Sequence, residues 1–261
     1  MKEPTFAIAG AQRCGTTWLY HLLDEHPEIY MAKPVHPEPK FFLNETSSES
    51  KRQSYLNQWF NRAVHEIAVG EKSTSYMEFP GVPRRMKQLF PKLKVVFLLR
   101  HPVERAISNY RLSRQHGLET ESLEFALRNE PDRLANTTFP HTSVHPFAYQ
   151  RRGHYARDIV RFLKFFGSHE IQVVQLENLL ADPLQTLSNL FAFLDVAANF
   201  CPRNVTSDYN ESPPDDLKIS RELLSELLER FYPSNRTLEQ LCDCDVRQWD
   251  DPTDALLSMV K

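Results

Sequence analysis

Residues 5–27, TFAIAGAQRCGTTWLYHLLDEHP, constrain this chain more than any other stretch. Residues 6–9 are an apolar run that reads as a buried β-strand. Gly10 and Gly15 bound a tight turn, and Thr16 opens a helix. A strand that feeds a glycine-bounded turn and a helix N-terminus makes an anion site, because backbone N–H groups converge there and the helix dipole favours negative charge. The spacing is G-x-x-x-x-G-T-T, whereas an ATPase loop reads G-x-x-x-x-G-K-[ST]. Thr16 stands where the ATPase lysine belongs, and the basic group has moved to Arg13 inside the turn. Such a loop holds a phosphate but lacks the cation that reaches β- and γ-phosphates. It points away from ATP hydrolysis and towards a nucleotide with a short 5′ anionic tail.

At 261 residues the chain fits one α/β domain covering 1–261. A formal net charge of −3 argues against a nucleic-acid partner and leaves room for a local basic cleft. No apolar run approaches the roughly 20 residues of a membrane span. The first strand follows Met1 too closely for a secretory leader, which favours a cytoplasmic protein. Five N-x-[ST] matches, at Asn44, Asn136, Asn204, Asn210 and Asn235, keep open a luminal domain trimmed of its anchor. Cys14, Cys201, Cys242 and Cys244 read as unpaired thiols, since Cys242 and Cys244 have no second ligand pair for zinc.

Short apolar runs at 6–9, 67–69, 95–99 and 171–176 alternate with helical patterns. Amphipathic helices are expected at 16–25, 103–115, 155–166, 184–194 and 220–231, the last within a helical pair that ends at Leu241. The alternation implies a P-loop-like three-layer α/β fold, with a central, mostly parallel sheet flanked by helices. Ligands of such sheets bind beyond the carboxyl ends of the strands, where Gly10 and Arg100 both lie. Two stretches read as loops. Residues 31–39 carry Pro34, Pro37 and Pro39, and residues 129–152 form an insertion expected to shape an acceptor site.

The second signal is KVVFLLRHPVERAISNY, residues 94–110. A buried strand ends at Arg100, and Pro102 starts a helix that carries Ser108. A guanidinium fork with a hydroxyl suits a phosphate dianion.

Here the residues resemble a known family. GAQRCGTTWL, followed by HP, resembles the 5′-phosphosulfate loop of sulfotransferases that use 3′-phosphoadenosine-5′-phosphosulfate (PAPS), in their heparan-sulfate-type and bacterial branch. LLRHPVERAISNY resembles their 3′-phosphate motif, and EPKFF, residues 38–42, the segment that carries the general base. GEKSTSYM, residues 70–77, is similar to their E-K-[ST]-x-x-Y segment. RRGHYARDIVRFLKFF followed by IQVVQLENLLADP is similar to the G-x-Y helix and next strand.

The resemblance implies a role for each matching residue. Glu38 is the general base, and Lys72 is a lysine near the sulfuryl group. Arg13 stands where most members have the lysine that stabilises the departing phosphate; tyrosylprotein sulfotransferases carry Arg there. Lys40 stands where the heparan sulfate 3-O branch has His and is a fourth catalytic candidate. Arg13, Cys14, Gly15, Thr16, Thr17 and Trp18 make up the 5′-phosphate cradle, Trp18 and Tyr20 also reading as core residues. Arg100 and Ser108 fit the 3′-phosphate site. No K-G-R or K-G-x-x-G-x-W segment follows Cys201, so Tyr209 stands in as a nucleotide contact.

The implied activity is in-line transfer of the sulfuryl group from PAPS to a hydroxyl of a carbohydrate or small hydroxylated metabolite. The product nucleotide is 3′,5′-adenosine bisphosphate (PAP). Such transfer needs positioning, a base and cations for the leaving group, and no metal is expected. Two alternatives are a P-loop-type kinase and a catalytically inactive homologue that binds PAP. His36, His101, His141 and His145 are scattered and read as loop residues rather than bases.

Overall fold

The structure, a computed structural model, describes residues 2–45, 49–138, 145–203, 205 and 216–261. Tyr209, His141, Asn204 and Asn210 lie outside the described residues. Five strands are present among them: β1 (Phe6–Gly10), β2 (Ile29–Met31), β3 (Ala68–Lys72), β4 (Lys94–Leu99) and β5 (Ile171–Gln175). In chain order the helices begin with α1 (Thr16–Asp24), α2 (Glu49–Trp59), α3 (Val82–Leu89) and α4 (Pro102–Gln115). They continue with α5 (Leu123–Arg128), α6 (Glu130–Asn136), α7 (Tyr155–Leu163) and α8 (Leu176–Ala181). The last three are α9 (Pro183–Phe193), α10 (Arg221–Cys242) and α11 (Asp254–Ser258).

The chain divides into two compact units, one from Met1–Leu99 with Arg161–Asn210, the other from Arg100–Val160 with Glu211–Lys261. The first holds the whole sheet. Its order is β2-β3-β1-β4-β5, and every pairing is parallel. This is the helix-flanked parallel sheet expected from the alternating pattern. All five residues of β1 are buried, as a strand covered on both faces requires. The chain leaves β1 towards β3 on one side and β4 on the other. The crevice at a switch in strand order therefore opens beyond the carboxyl end of β1. Ile8 pairs with Lys72 and Gly10 with Phe97, so the ends of β3 and β4 flank that crevice. Two bonds close it: Ser73 N–H donates to the Ile8 carbonyl at 3.0 Å and Ala11 N–H to that of Leu98 at 2.8 Å.

Close packing of β1 on β3 needs a glycine at position 70. A Cβ there would lie 2.2 Å from Phe6 Cζ, and Phe6 is wholly buried. Gly70→Ala is expected to lower unfolding stability by about 1–3 kcal/mol through overpacking. A urea titration checks this; an unchanged midpoint would mean that the Phe6 ring has room to turn.

In the second unit α4, α5 and α10 bury Val103, Ile107, Leu123, Leu127, Leu223, Leu227 and Phe231 in one core. His101 caps α4: its Nδ1 accepts from Val103 N–H, and its Nε2 donates to the Asp251 carbonyl at 3.1 Å. Burial keeps this imidazole below its ordinary pKa, which suits a neutral capping ring.

Three differences from the sequence expectations concern the elements. The C-terminal helical pair is a single 22-residue helix that passes through Pro233. Its buried Leu223, Leu227, Phe231, Asn235 and Leu238 keep one stripe at spacings of three and four on both sides of the proline. That packing outweighs the lost N–H. Asn235 is 1% exposed in the same stripe, so its N-x-[ST] match is closed to glycosylation in the folded chain. The 129–152 stretch contains α6 and a short 3₁₀ turn at Arg151–Gly153. α2 was not expected, because only Tyr55, Leu56 and Trp59 of its residues are buried. Among the described residues no helix is long and apolar enough to cross a membrane.

Candidate active site

The turn after β1 is shaped to receive an anion. Arg13 and Gly15 both take left-handed backbone conformations, with φ of 69° and 83°. Left-handed residues alternating in a turn point successive N–H groups inward and form an anion-binding concavity. Gly15 has a second constraint, since a Cβ there would lie 2.9 Å from Leu176 Cδ1. α1 starts at once and has no acidic residue in its first turn, so its own side chains do not neutralise the positive end of its dipole. Arg13 and Thr17 are half-buried, and Thr16 is buried. Cys14 is fully buried, with Sγ 3.9 Å from the Gln12 carbonyl, so its thiol faces protein and only its backbone is offered to a ligand. Trp18 is 5% exposed and belongs to the core.

At the end of β3 in the same unit, Lys72 Nζ lies 2.6 Å from Glu38 Oε1, and their side chains are 2% and 9% exposed. Thr74 also donates to Glu38, with its N–H at 3.2 Å and its hydroxyl at 3.1 Å. The carboxylate is therefore fixed by three donors on one strand end. Lys40 reaches this region through its backbone. Its N–H donates to Ser73 Oγ at 2.9 Å, its φ is 51°, and its side chain is exposed. His36, just before Glu38, has its pKa lowered by burial and then by the charge of Lys72.

Glu71 was passed over in the sequence, although it opens the E-K-[ST]-x-x-Y pattern. It is 0% exposed. Tyr55 and Tyr76 hydroxyls donate to its Oε1 at 2.5 and 3.0 Å, and Ser73 Oγ donates to Oε2 at 2.7 Å. Burial pushes its carboxyl up to about 7 against the pull of these hydroxyls. The pattern explains itself here: Ser73 and Tyr76 are donors to the glutamate that opens it.

A cleft of about 560 Å³ lies on the first unit beside the proline-rich segment. Its lining includes Tyr20, His21, Asp24, Lys33, Val35 and Arg62. Val35 is three residues before Glu38.

In the second unit Arg100 lies just before α4, and Ser108 lies near the middle of that helix. The Arg100 guanidinium forks onto one oxygen of Glu104, with Nε at 2.9 Å and Nη2 at 2.6 Å. Thr253 Oγ1 donates to the other oxygen at 2.5 Å, and the Tyr155 hydroxyl to the Arg100 carbonyl at 2.8 Å. Although burial raises the Glu104 pKa, Arg100 and Thr253 bring it below the ordinary carboxylate value. Ser108 is one turn beyond Glu104 on the same helix stripe and is 5% exposed. Glu104 orients the guanidinium and engages two of its five N–H donors, leaving the others for further partners.

A parallel sheet with an anion loop at its switch point defines an α/β protein of the P-loop-like class. Residues 3–221 match the family model of the sulfotransferase domain, and the chain belongs to that family. A crystal structure of a sulfotransferase from Alicyclobacillus acidocaldarius is similar over 96% of this chain and 100% of that one, at 29% identity and TM-score 0.79. The human bifunctional heparan sulfate N-deacetylase/N-sulfotransferase 3 is 28% identical over 209 residues, 76% of this chain and 23% of that protein. Human heparan sulfate glucosamine 3-O-sulfotransferase 3B1 is 28% identical over 194 residues, 73% of this chain and 46% of its own length. The match therefore spans less than half of either curated relative.

Proposed function

We propose that this sulfotransferase takes its sulfuryl group from PAPS and passes it to a hydroxyl of a carbohydrate or a small hydroxylated metabolite. The observation that carries this reading is the buried Glu38–Lys72 pair at the end of β3, in the same unit as the anion loop. The names of the curated relatives, which act on heparan sulfate, support a carbohydrate acceptor.

The donor nucleotide supplies a sulfuryl group already activated by its anhydride bond to phosphate. The residues present fit it. The loop of Arg13 to Thr17 has the concavity and helix end for the 5′-phosphate, and Arg13 carries the positive charge that favours the leaving group. Arg100, oriented by Glu104, and Ser108 are the assigned partners of the 3′-phosphate. Glu38 accepts the proton of the acceptor hydroxyl. Lys72 and Thr74 hold the carboxylate in place, and Lys72 puts a positive charge beside the reacting oxygens. Cys14 and Trp18 contribute backbone and packing, and Lys40 shapes the Glu38 segment through its N–H.

A kinase reading requires a cation in the loop at position 16, which is Thr16. Thermal shift with PAP, AMP and Mg-ATP separates the classes. A ligand at 100 times its dissociation constant adds about 2.7 kcal/mol, and the shift is expected with PAP. Stabilisation by Mg-ATP alone would overturn the reading. Arg100→Ala is expected to weaken PAP about 10–100-fold, the worth of charge-assisted hydrogen bonds, and AMP little. Equal losses for both, measured by calorimetry, would remove Arg100 from the 3′-phosphate site.

A further inference from the structure

Glu71 has no place in the transfer chemistry just described, yet among the described residues it is the most deeply enclosed carboxyl of the first unit, at 0% exposure. Burying a carboxyl is costly, and an apolar side chain in a strand interior avoids that cost. A role is therefore to be sought in what its three hydroxyl donors do with their remaining capacity. Each hydroxyl gives its proton to Glu71, which turns its lone pairs outward as acceptors. Ser73 Oγ accepts the Lys40 N–H at 2.9 Å, and the Tyr76 hydroxyl accepts the Phe42 N–H at 3.4 Å. Tyr55, the third donor, stacks on Phe41 with ring centroids 4.1 Å apart, and Tyr76 meets Phe42 edge-on at 5.4 Å. Each of these contacts ends on the EPKFF segment, whose first residue is Glu38, while Tyr55 also packs on Phe60 and Phe90.

We propose, on the reading of Glu38 as the base, that Glu71 is a positioning residue: its acceptor oxygens orient Ser73, Tyr76 and Tyr55 so that they clamp residues 40–42 and aim the Glu38 carboxylate. The clamp and the base share one stretch of backbone. Ser73 binds Lys40, and its neighbour Thr74 binds Glu38 through both N–H and hydroxyl. Glu71 and Lys72 are consecutive on β3 and alternate across the sheet. One residue thus secures the segment from beneath, while the other pairs with its carboxylate. Removing the acceptor at 71 frees the Ser73 hydroxyl to turn, and the Lys40 N–H loses its aligned partner. A displacement of about 1 Å at a reacting group is enough to cost on the order of 10²-fold in rate.

The test compares Glu71→Gln and Ser73→Ala with the parent chain. Glu71→Gln keeps the volume but replaces one acceptor oxygen with a donor. Amide exchange is read at Lys40 and Phe42, PAP affinity by calorimetry, and kcat and KM from PAP release with PAPS and a desulfated heparan oligosaccharide, or water, as acceptor. The expected result is exchange about tenfold faster at both amides, kcat about 10–100-fold lower, and PAP affinity and donor KM unchanged. Ser73→Ala is expected to reproduce the effect at Lys40 and leave Phe42 protected. Parent-like exchange, or faster exchange with parent-like kcat, would overturn the role of Glu71. If the parent neither binds PAP nor turns over PAPS, the sulfuryl-transfer reading falls instead. A Glu38→Gln variant as active as the parent removes the base and, with it, what Glu71 is proposed to aim.

Discussion

Glu38→Gln is expected to lower the rate of sulfuryl transfer by about 10²–10⁴-fold, the range a positioned general base contributes. The substitution is nearly isosteric, and the glutamine carbonyl can keep one of the Thr74 bonds. It removes the ability to take up a proton from the acceptor hydroxyl. The anion loop lies at the end of β1 and does not include residue 38, so PAP affinity should not change. Initial rates at saturating PAPS, with PAP binding measured on the same preparation, separate the two effects. A rate near that of the parent with intact PAP binding would remove Glu38 from the chemistry, whereas PAP binding by a parent that transfers nothing would favour the non-catalytic alternative.

The second large effect falls on stability. Lys72→Met is expected to cost about 3–5 kcal/mol, because it leaves the Glu38 charge buried without its ionic partner. Methionine fills much of the lysine volume, so the loss is electrostatic rather than a cavity. Glu38 is 9% exposed and would retain only the Thr74 donors. The double variant Glu38→Gln, Lys72→Met is expected to recover most of the loss, since an absent pair costs far less than half of one. Urea unfolding of the single and double variants gives the coupling directly. Additive losses would mean that water reaches both groups and that the pair is not a buried one.

The parts of this protein legible in the sequence are those built from neighbouring residues. The 5–27 stretch reads as strand, turn and helix because each feature is a local rule: an apolar run, two glycines and an open helix end. The structure has β1 at Phe6–Gly10 and α1 at Thr16–Asp24, within a residue of the expectation. The same holds for β4 and α4 around Arg100, where Pro102 marks the helix start. The family resemblance singled out Glu38 and Lys72 one by one and did not pair them. Glu38 and Lys72 are 34 residues apart, and nothing between them says that they touch.

Other features were hidden because their cause is distant. α10 continues through Pro233 because a buried stripe on both sides holds it, and local propensity reads only the proline. Arg100 reads as a lone cation at a strand end, yet it is forked onto Glu104, which Thr253 steadies from the far end of the chain. Glu71 reads as one more charged residue beside Lys72. Its burial follows from the placement of β3 inside the sheet and from Tyr55 on a helix whose own pattern is faint.

By itself the sequence determined an alternating α/β chain with an anion loop at its first turn and the sulfotransferase motifs in order. Those properties rest on contacts between residues a few positions apart, which every copy of the pattern reproduces. The tertiary structure alone decided that β3 lies beside β1, that Lys72 meets Glu38 at the shared strand end, and that Glu71 is enclosed by Ser73, Tyr55 and Tyr76. Those are matters of strand order and register, set by how apolar faces are buried together. No stretch of chain carries them alone.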